Sequence, residues 1–141
     1  MTEDGIQKKS ILIIDDNPSV LKFLTKTLFE QDYRVRIAPG AKLGINSAMA
    51  EAPDLIILDI KMPDMDGYTV CQQLKANDKT RDIPVIFISG LEDVMDKVKA
   101  FKMGGVDYIV KPFATEEVIA RVENQLKISK KLRQFQQNIE E

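Results

Sequence analysis

Aliphatic residues gather in five stretches of the chain: "ILII" from Ile11, "RVRIA" from Arg34, "LIIL" from Leu55, "PVIFIS" from Pro84 and a shorter "YIV" from Tyr108. Between them apolar residues recur at helical spacing, as in Val20, Leu21, Leu24 and Leu28, and again in Val70 and Leu74 after "DGYT". The pattern predicts alternating strands and helices. Strands that are apolar on both faces suit a parallel sheet covered by helices on each side, and right-handed crossovers leave few ways to connect five such units. Turn chemistry agrees. Asn17-Pro18 is a helix cap followed by proline at the first helical position, Glu51-Ala52-Pro53 stops the second helix, and Gly104-Gly105 stops the fourth.

The last stretch, from Thr115 to Glu141, contains neither proline nor glycine and reads as one continued helix. Ile119, Val122 and Leu126 make an apolar stripe in its first half. Ile128, Leu132, Phe135 and Ile139 make a second at four-three-four spacing, the spacing of a short coiled-coil seam. At about 100° per residue this second stripe lies roughly 180 to 240° around the helix from Leu126, so it is expected to face away from the core of its own domain. A stripe so placed calls for a partner: a second copy, a downstream output domain or another protein.

With 141 residues, the chain is long enough for one core, and one domain is the default. We divide it into an N-terminal extension, 1–9, a domain over 10–126 and a C-terminal helical extension, 127–141. Its 20 basic and 22 acidic residues leave no basic field for nucleic acid, and direct nucleic-acid binding is not expected. No apolar run approaches a membrane span and the start is polar, so no membrane partner is expected and the location predicted is cytoplasmic. A single cysteine, Cys71, and no histidine exclude an internal disulfide, the usual zinc spacings and histidine-based acid–base chemistry. Carboxylates, lysines and hydroxyls remain, and any metal would be a hard ion held by oxygen.

In an open parallel sheet, ligands bind outside the carboxyl ends of the strands where the strand order reverses. The polar residues ending these strands are Asp15 and Asp16, Asp59, Ser89 and Lys111. Each has an ordinary explanation alone: a cap, a turn former, a loop hydroxyl, a solvated amine. Together, three carboxylates at one edge repel and raise one another's pKa unless a cation compensates. All-oxygen ligands at an open site suit magnesium, which keeps several waters and coordinates phosphate oxygens.

The motifs "IIDDNP", "LILDIKMPDMDG", "FISG" and "GGVDYIVKPF", in that order between about Ser10 and Leu126, resemble the receiver domain of two-component response regulators. That resemblance implies an α/β, flavodoxin-like, doubly wound five-stranded parallel sheet of order 2-1-3-4-5, here with an extended C-terminal helix. It implies that Asp59 is the phosphoacceptor and that Asp16, Asp59 and the backbone carbonyl of Lys61 bind magnesium, with Asp15 acting through a metal-bound water. Ser89 and Lys111 would each meet a phosphoryl oxygen, Lys111-Pro112 would be a cis peptide, and Tyr108 would be the aromatic whose rotamer follows activation. The donor would be a histidine kinase or histidine phosphotransfer protein. The function implied is a phosphorylation-dependent switch that changes the surface of helix four, strand five and helix five, rather than a turnover enzyme. The alternative is a receiver-like interaction module acting without phosphorylation.

Three positions depart from the resemblance or extend it. Ser89 stands where threonine is commoner, keeping the hydroxyl. Gly90 follows where alanine is usual. Lys61 places a cation at the site mouth, and a magnesium phosphatase would instead carry a second aspartate there.

Overall fold

The structure, a computed structural model, describes residues 8–90 and 97–140. Most of the extension 1–9, and the first residues after "FISG", lie outside the described residues.

Among the described residues, five strands and five helices alternate: β1 (Ser10–Ile14), α1 (Pro18–Phe29), β2 (Arg34–Ala38), α2 (Ala41–Ala50), β3 (Leu55–Asp59), α3 (Gly67–Lys75), β4 (Val85–Ser89), α4 (Lys97–Lys102), β5 (Asp107–Val110) and α5 (Thr115–Glu140). All pairings are parallel and the order is β2-β1-β3-β4-β5. This is the doubly wound sheet that the sequence predicts. The chain reverses direction across the sheet between β1 and β3, so the carboxyl ends of those two strands flank the crevice.

β1, β3 and β4 are buried on both faces, which is why they read as unbroken aliphatic runs. One face packs Leu12, Ile14, Ile56, Leu58 and Phe87 against α2, α3 and α4. The other packs Ile11, Ile13, Ile57, Ile86 and Ile88 against α1 and α5. β2 is an edge strand, and its mixed exposure matches the mixed "RVRIA". Burial of these branched side chains stabilises the fold by about 1.5–3 kcal/mol each relative to exposure.

Helix starts are fixed locally or from a distance. The Asn17 side chain accepts from the amides of Ser19 and Val20, and Pro18 opens α1. α2 begins at Gly40, which has no side chain to cap with. Asp64, from the loop after β3, accepts instead from Ala41 N and Lys42 N at 3.2 and 3.1 Å. Those bonds to the amides hold the Asp64 carboxyl below its usual range. Beyond the carboxyl end of α4, Gly104 takes φ +105°, a left-handed conformation that suits glycine and ends the helix.

α5 runs unbroken from the domain into the tail. Its buried stripe is Val118, Val122 and Leu126, with Gln125 beside it. Ile119, expected in that stripe, is only half-buried. At about 100° per residue, Gln125, Val118, Val122 and Leu126 span an arc of roughly 100°, and Ile119 falls just beyond the edge of that arc next to Leu126. In the tail, Ile128, Leu132, Phe135 and Ile139 are 42–66% exposed, as expected of a stripe outside the core. The tail does not lose the domain altogether. Ser129, Leu132, Arg133 and Gln136 form one wall of a groove of about 320 Å³ whose other wall includes Pro53, Asp54, Ile83 and Pro84 at the amino end of the sheet.

Candidate functional site

The crevice outside β1 and β3 is lined by Asp15, Asp16, Asn17, Pro18, Asp59, Lys61 and Lys111, and has a volume of about 390 Å³. Asp15 follows β1 directly, its amide donating to Ala38 O at 3.1 Å, so the strand's hydrogen-bonding places it. Asp59 is the last residue of β3 and stands opposite Ile88 on β4. Carboxylate oxygens of Asp15, Asp16 and Asp59 lie within 4.8 Å of one another. Asp15 is fully buried, Asp59 is 4% exposed and Asp16 is exposed. One wall of this crevice is therefore dry and the other wet.

Asp15 Oδ1 accepts from the Asn17 amide at 2.8 Å. Its Oδ2 lies 3.7 Å from Lys111 Nζ and has no hydrogen-bond partner. Burial pushes the Asp15 carboxyl up, opposed by the Asn17 bond and the Lys111 charge. Burial, and then the adjacent Asp15, push Asp59 up to about 7, with Lys111 and the Lys61 amide pulling the other way. Lys111 by itself does not neutralise three acids. A divalent cation with oxygen affinity fits: it would supply the missing charge, and its hydration would give the orphaned Asp15 oxygen a partner.

Lys111 is carried by the strand end after β5. Its amide donates to Ser89 O at 2.8 Å, and the Lys111-Pro112 bond is cis, as the resemblance implied. Ser89 ends β4 beside the crevice rather than on its wall. It is buried, and its hydroxyl has no partner. Tyr108 lies apart from the acids, on β5, opposite Phe87. Its ring is half-buried, with Lys97 Nζ 4.9 Å above it, Phe101 edge-on at 6.3 Å and the Arg121 guanidinium at 5.9 Å. The acids, Lys111 and the Lys61 backbone meet at one crevice, Ser89 adjoins it, and Tyr108 stands on the neighbouring surface.

Two residues matter here that the sequence motifs contain without singling out. Gly67 opens α3 with its amide donating to Ile60 O at 2.6 Å, and a Cβ there would strike the carbonyl oxygen of Asp59. Asp64 ties the same loop to α2. The spacing "PDMDG" after Asp59 is the available signal. It marks a turn, while the closeness of that turn to the Asp59 backbone emerges only in three dimensions.

An acidic crevice at the switch point of a five-stranded parallel sheet, with a lysine on a cis-proline turn, defines a class of regulatory α/β domain. The chain belongs to the response regulator receiver domain family, whose model matches residues 11–123. Domains of this family are phosphorylation-dependent signalling switches and are generally not classed as turnover enzymes. Over 112 residues the chain is 42% identical to the DNA-binding dual master transcriptional regulator RpaA of Synechocystis, a match covering 79% of this chain and 46% of that protein. The chain spans about half the length of the curated relatives it matches. Among solved structures it is similar to the signal receiver domain of a signal transduction histidine kinase from Syntrophus aciditrophicus, at 34% identity and TM-score 0.77 over 84% of this chain and 90% of that one. It is also similar to a CheY-like receiver domain protein from Methanospirillum hungatei, at 26% identity and TM-score 0.82 over 89% and 98% of the two chains. No described helix is long and apolar enough to cross a membrane.

Proposed function

We propose that the chain is a magnesium-dependent phosphoryl switch of the cytoplasm, with Asp59 as phosphoacceptor. The observation that carries this reading is the buried Asp15–Asp59 pair joined by Asp16 within 4.8 Å, with Lys111 beside it. Asp16, Asp59 and the Lys61 carbonyl would hold magnesium directly and Asp15 through a water. When bound, the ion screens charge on the transferring phosphoryl group and on its acceptor.

An Asp59 carboxylate oxygen attacks the phosphorus of a phosphohistidine on a histidine kinase or histidine phosphotransfer protein. The phosphorus–nitrogen bond breaks, and the imidazole leaves and regains a proton from water. Lys111 pairs with one phosphoryl oxygen, and Ser89, otherwise without a partner, donates to another. Those two contacts favour an arrangement in which Tyr108 turns inward and the surface of α4, β5 and α5 changes. Hydrolysis of the acyl phosphate at the same site resets the switch, so the chain modifies itself and does not turn over substrate. Lys61, at the crevice mouth, would set the lifetime of that phosphate.

A unit over residues 10–126 with a helical extension over 127–141 suits signal output through the tail. Its exposed stripe would pair with a second copy or lead to an output domain; several relatives are named as transcriptional regulators. The test is magnesium-dependent labelling by a small phosphodonor such as acetyl phosphate, with Asp59→Asn as control and light-scattering mass read in parallel. Labelling that needs both magnesium and Asp59 supports the switch. Its absence in the wild-type chain would favour an interaction module acting without phosphorylation, and a mass that rises on labelling would tie the tail to the site.

A further inference from the structure

α4 is held on two sides, and only one of them involves Tyr108. Toward β5, Lys97 and Phe101 rest on the Tyr108 ring. Toward α3, Lys99 Nζ sits 4.8 Å above the centre of the Tyr68 ring. One helical turn further on, the Met103 carbonyl accepts from the Cys71 thiol at 3.2 Å. Met103 follows α4 directly, four residues after Lys99, and Tyr68 and Cys71 are three apart on one face of α3, so the contacts form one short α3–α4 seam.

Tyr68 is also tied to the phosphoacceptor and the core. It follows Gly67, whose backbone presses against the Asp59 carbonyl, and its ring packs on fully buried Phe87 at 5.5 Å and 56°. Phe87 in turn neighbours Tyr108 across the β4–β5 ladder. Tyr68, Phe87 and Tyr108 thus form a row of rings under α4, with a lysine of α4 over each outer ring. Ala100, next to Lys99, is buried, and Gly105 leaves room for Phe87 where a Cβ would strike it.

We infer that Tyr68 is a positioning residue for the switch: through Lys99 it fixes the α3 side of α4, and so sets how readily α4 yields when Tyr108 turns inward. This rests on the switch reading above. Tyr108 can leave Lys97 by changing rotamer, whereas Tyr68 follows Gly67, whose backbone is packed on Asp59, and rests its ring on the buried Phe87, which holds it in place. The Lys99–Tyr68 contact therefore opposes the moved arrangement. Removing it raises the fraction of molecules competent to hold the phosphoryl group, and apparent affinity rises by the same factor. For one cation–π contact at a half-exposed ring that factor is roughly two- to fivefold.

The experiment measures half-saturation of the full chain with beryllofluoride in magnesium, read from the fluorine resonances of the bound ion. Lys99→Met, which keeps the aliphatic stem, and Tyr68→Leu, which keeps apolar bulk over Phe87, should each lower the half-saturating concentration about two- to fivefold. Lys99→Arg should restore the wild-type value, and the double variant should do no more than either single one. Lys102→Met, on the same helix, should change nothing. Unchanged or weakened binding in Lys99→Met would overturn the inference, as would a Lys99→Arg chain that behaves like Lys99→Met. A wild-type chain that binds no beryllofluoride, or binds it equally well as Asp59→Asn, would instead overturn the switch reading, and this inference with it.

Discussion

The two edges of the one sheet treat buried polar groups in opposite ways. Toward the amino edge the buried Thr80 and the half-buried Lys75 and Asp54 are paired, Arg36 Nε being the exception. Thr80, fully buried, donates to Leu74 O at 2.6 Å; Lys75 Nζ donates to the carbonyls of Arg81 and Ile83 at 3.0 and 2.6 Å; Asp54 Oδ2 accepts from the Ser10 amide at 2.7 Å. At the carboxyl edge Asp15 Oδ2 and Ser89 Oγ are buried with no partner, and two buried carboxyls crowd together. A buried polar atom left unsatisfied costs about 1–3 kcal/mol. The amino edge is thus arranged for stability, while the carboxyl edge carries a standing cost that a bound cation and phosphoryl group would relieve.

The sharpest way to expose that cost is pH. Asp59 titrates at about 7 in the fold against 3.8 when unperturbed, so between those values the folded chain holds a proton that the unfolded chain has released. The folded state is favoured by that proton at low pH, and the advantage is lost as pH rises through about 7. Asp15 is raised as well and acts in the same direction. In metal-free buffer the urea midpoint should therefore fall between about pH 5 and about pH 8. Asp59→Asn should flatten this slope and unfold later than wild type at the alkaline end, and magnesium should help the wild-type chain most above about pH 7. Equal wild-type midpoints at the two pH values would remove the frustration from the carboxyl edge.

The amino edge should answer in the opposite sense. Thr80→Val conserves shape and deletes one satisfied hydrogen bond, so it should cost about 1 kcal/mol in urea unfolding. Labelling of Asp59 should be unaffected. A loss of labelling without a loss of stability would show that the two edges are less separate than their hydrogen bonding suggests.

How legible each edge is in the sequence follows from what fixes it. Strands buried on both faces announce themselves as aliphatic runs, and the first polar residue after each run has to emerge at the sheet edge. Asp15, Asp59 and Ser89 can be collected in this way from the order of residues alone. The cap on α1 is equally local, because Asn17 bonds amides two and three residues away. Long-range contacts carry no such signal. Asp64 caps a helix that starts 23 positions before it, Gly67 is a glycine because of a backbone brought close by a loop, and Tyr68 finds Lys99 only once α3 and α4 lie side by side. The buried stripe of α5 differs from its expected position by one residue for a related reason. In a helix with Val118 and Ile119 adjacent, periodicity alone does not say which one meets the sheet.

Ser89→Ala should have the smallest effect on the fold and separates the edges most cleanly. Ser89 is buried and its hydroxyl is unpaired, so deleting it removes a desolvated group and breaks no bond. Stability of the metal-free chain should change by less than about 1 kcal/mol, and in the favourable direction if it changes at all. Beryllofluoride affinity should nonetheless fall about tenfold, the worth of one hydrogen bond to a charged acceptor. The comparison is with Thr80→Val: both remove a buried hydroxyl, and only the one at the amino edge should weaken the fold. If Ser89→Ala destabilised the metal-free chain as much as Thr80→Val, its hydroxyl would be holding the fold together, and an unpaired buried oxygen at this edge would no longer point to a ligand.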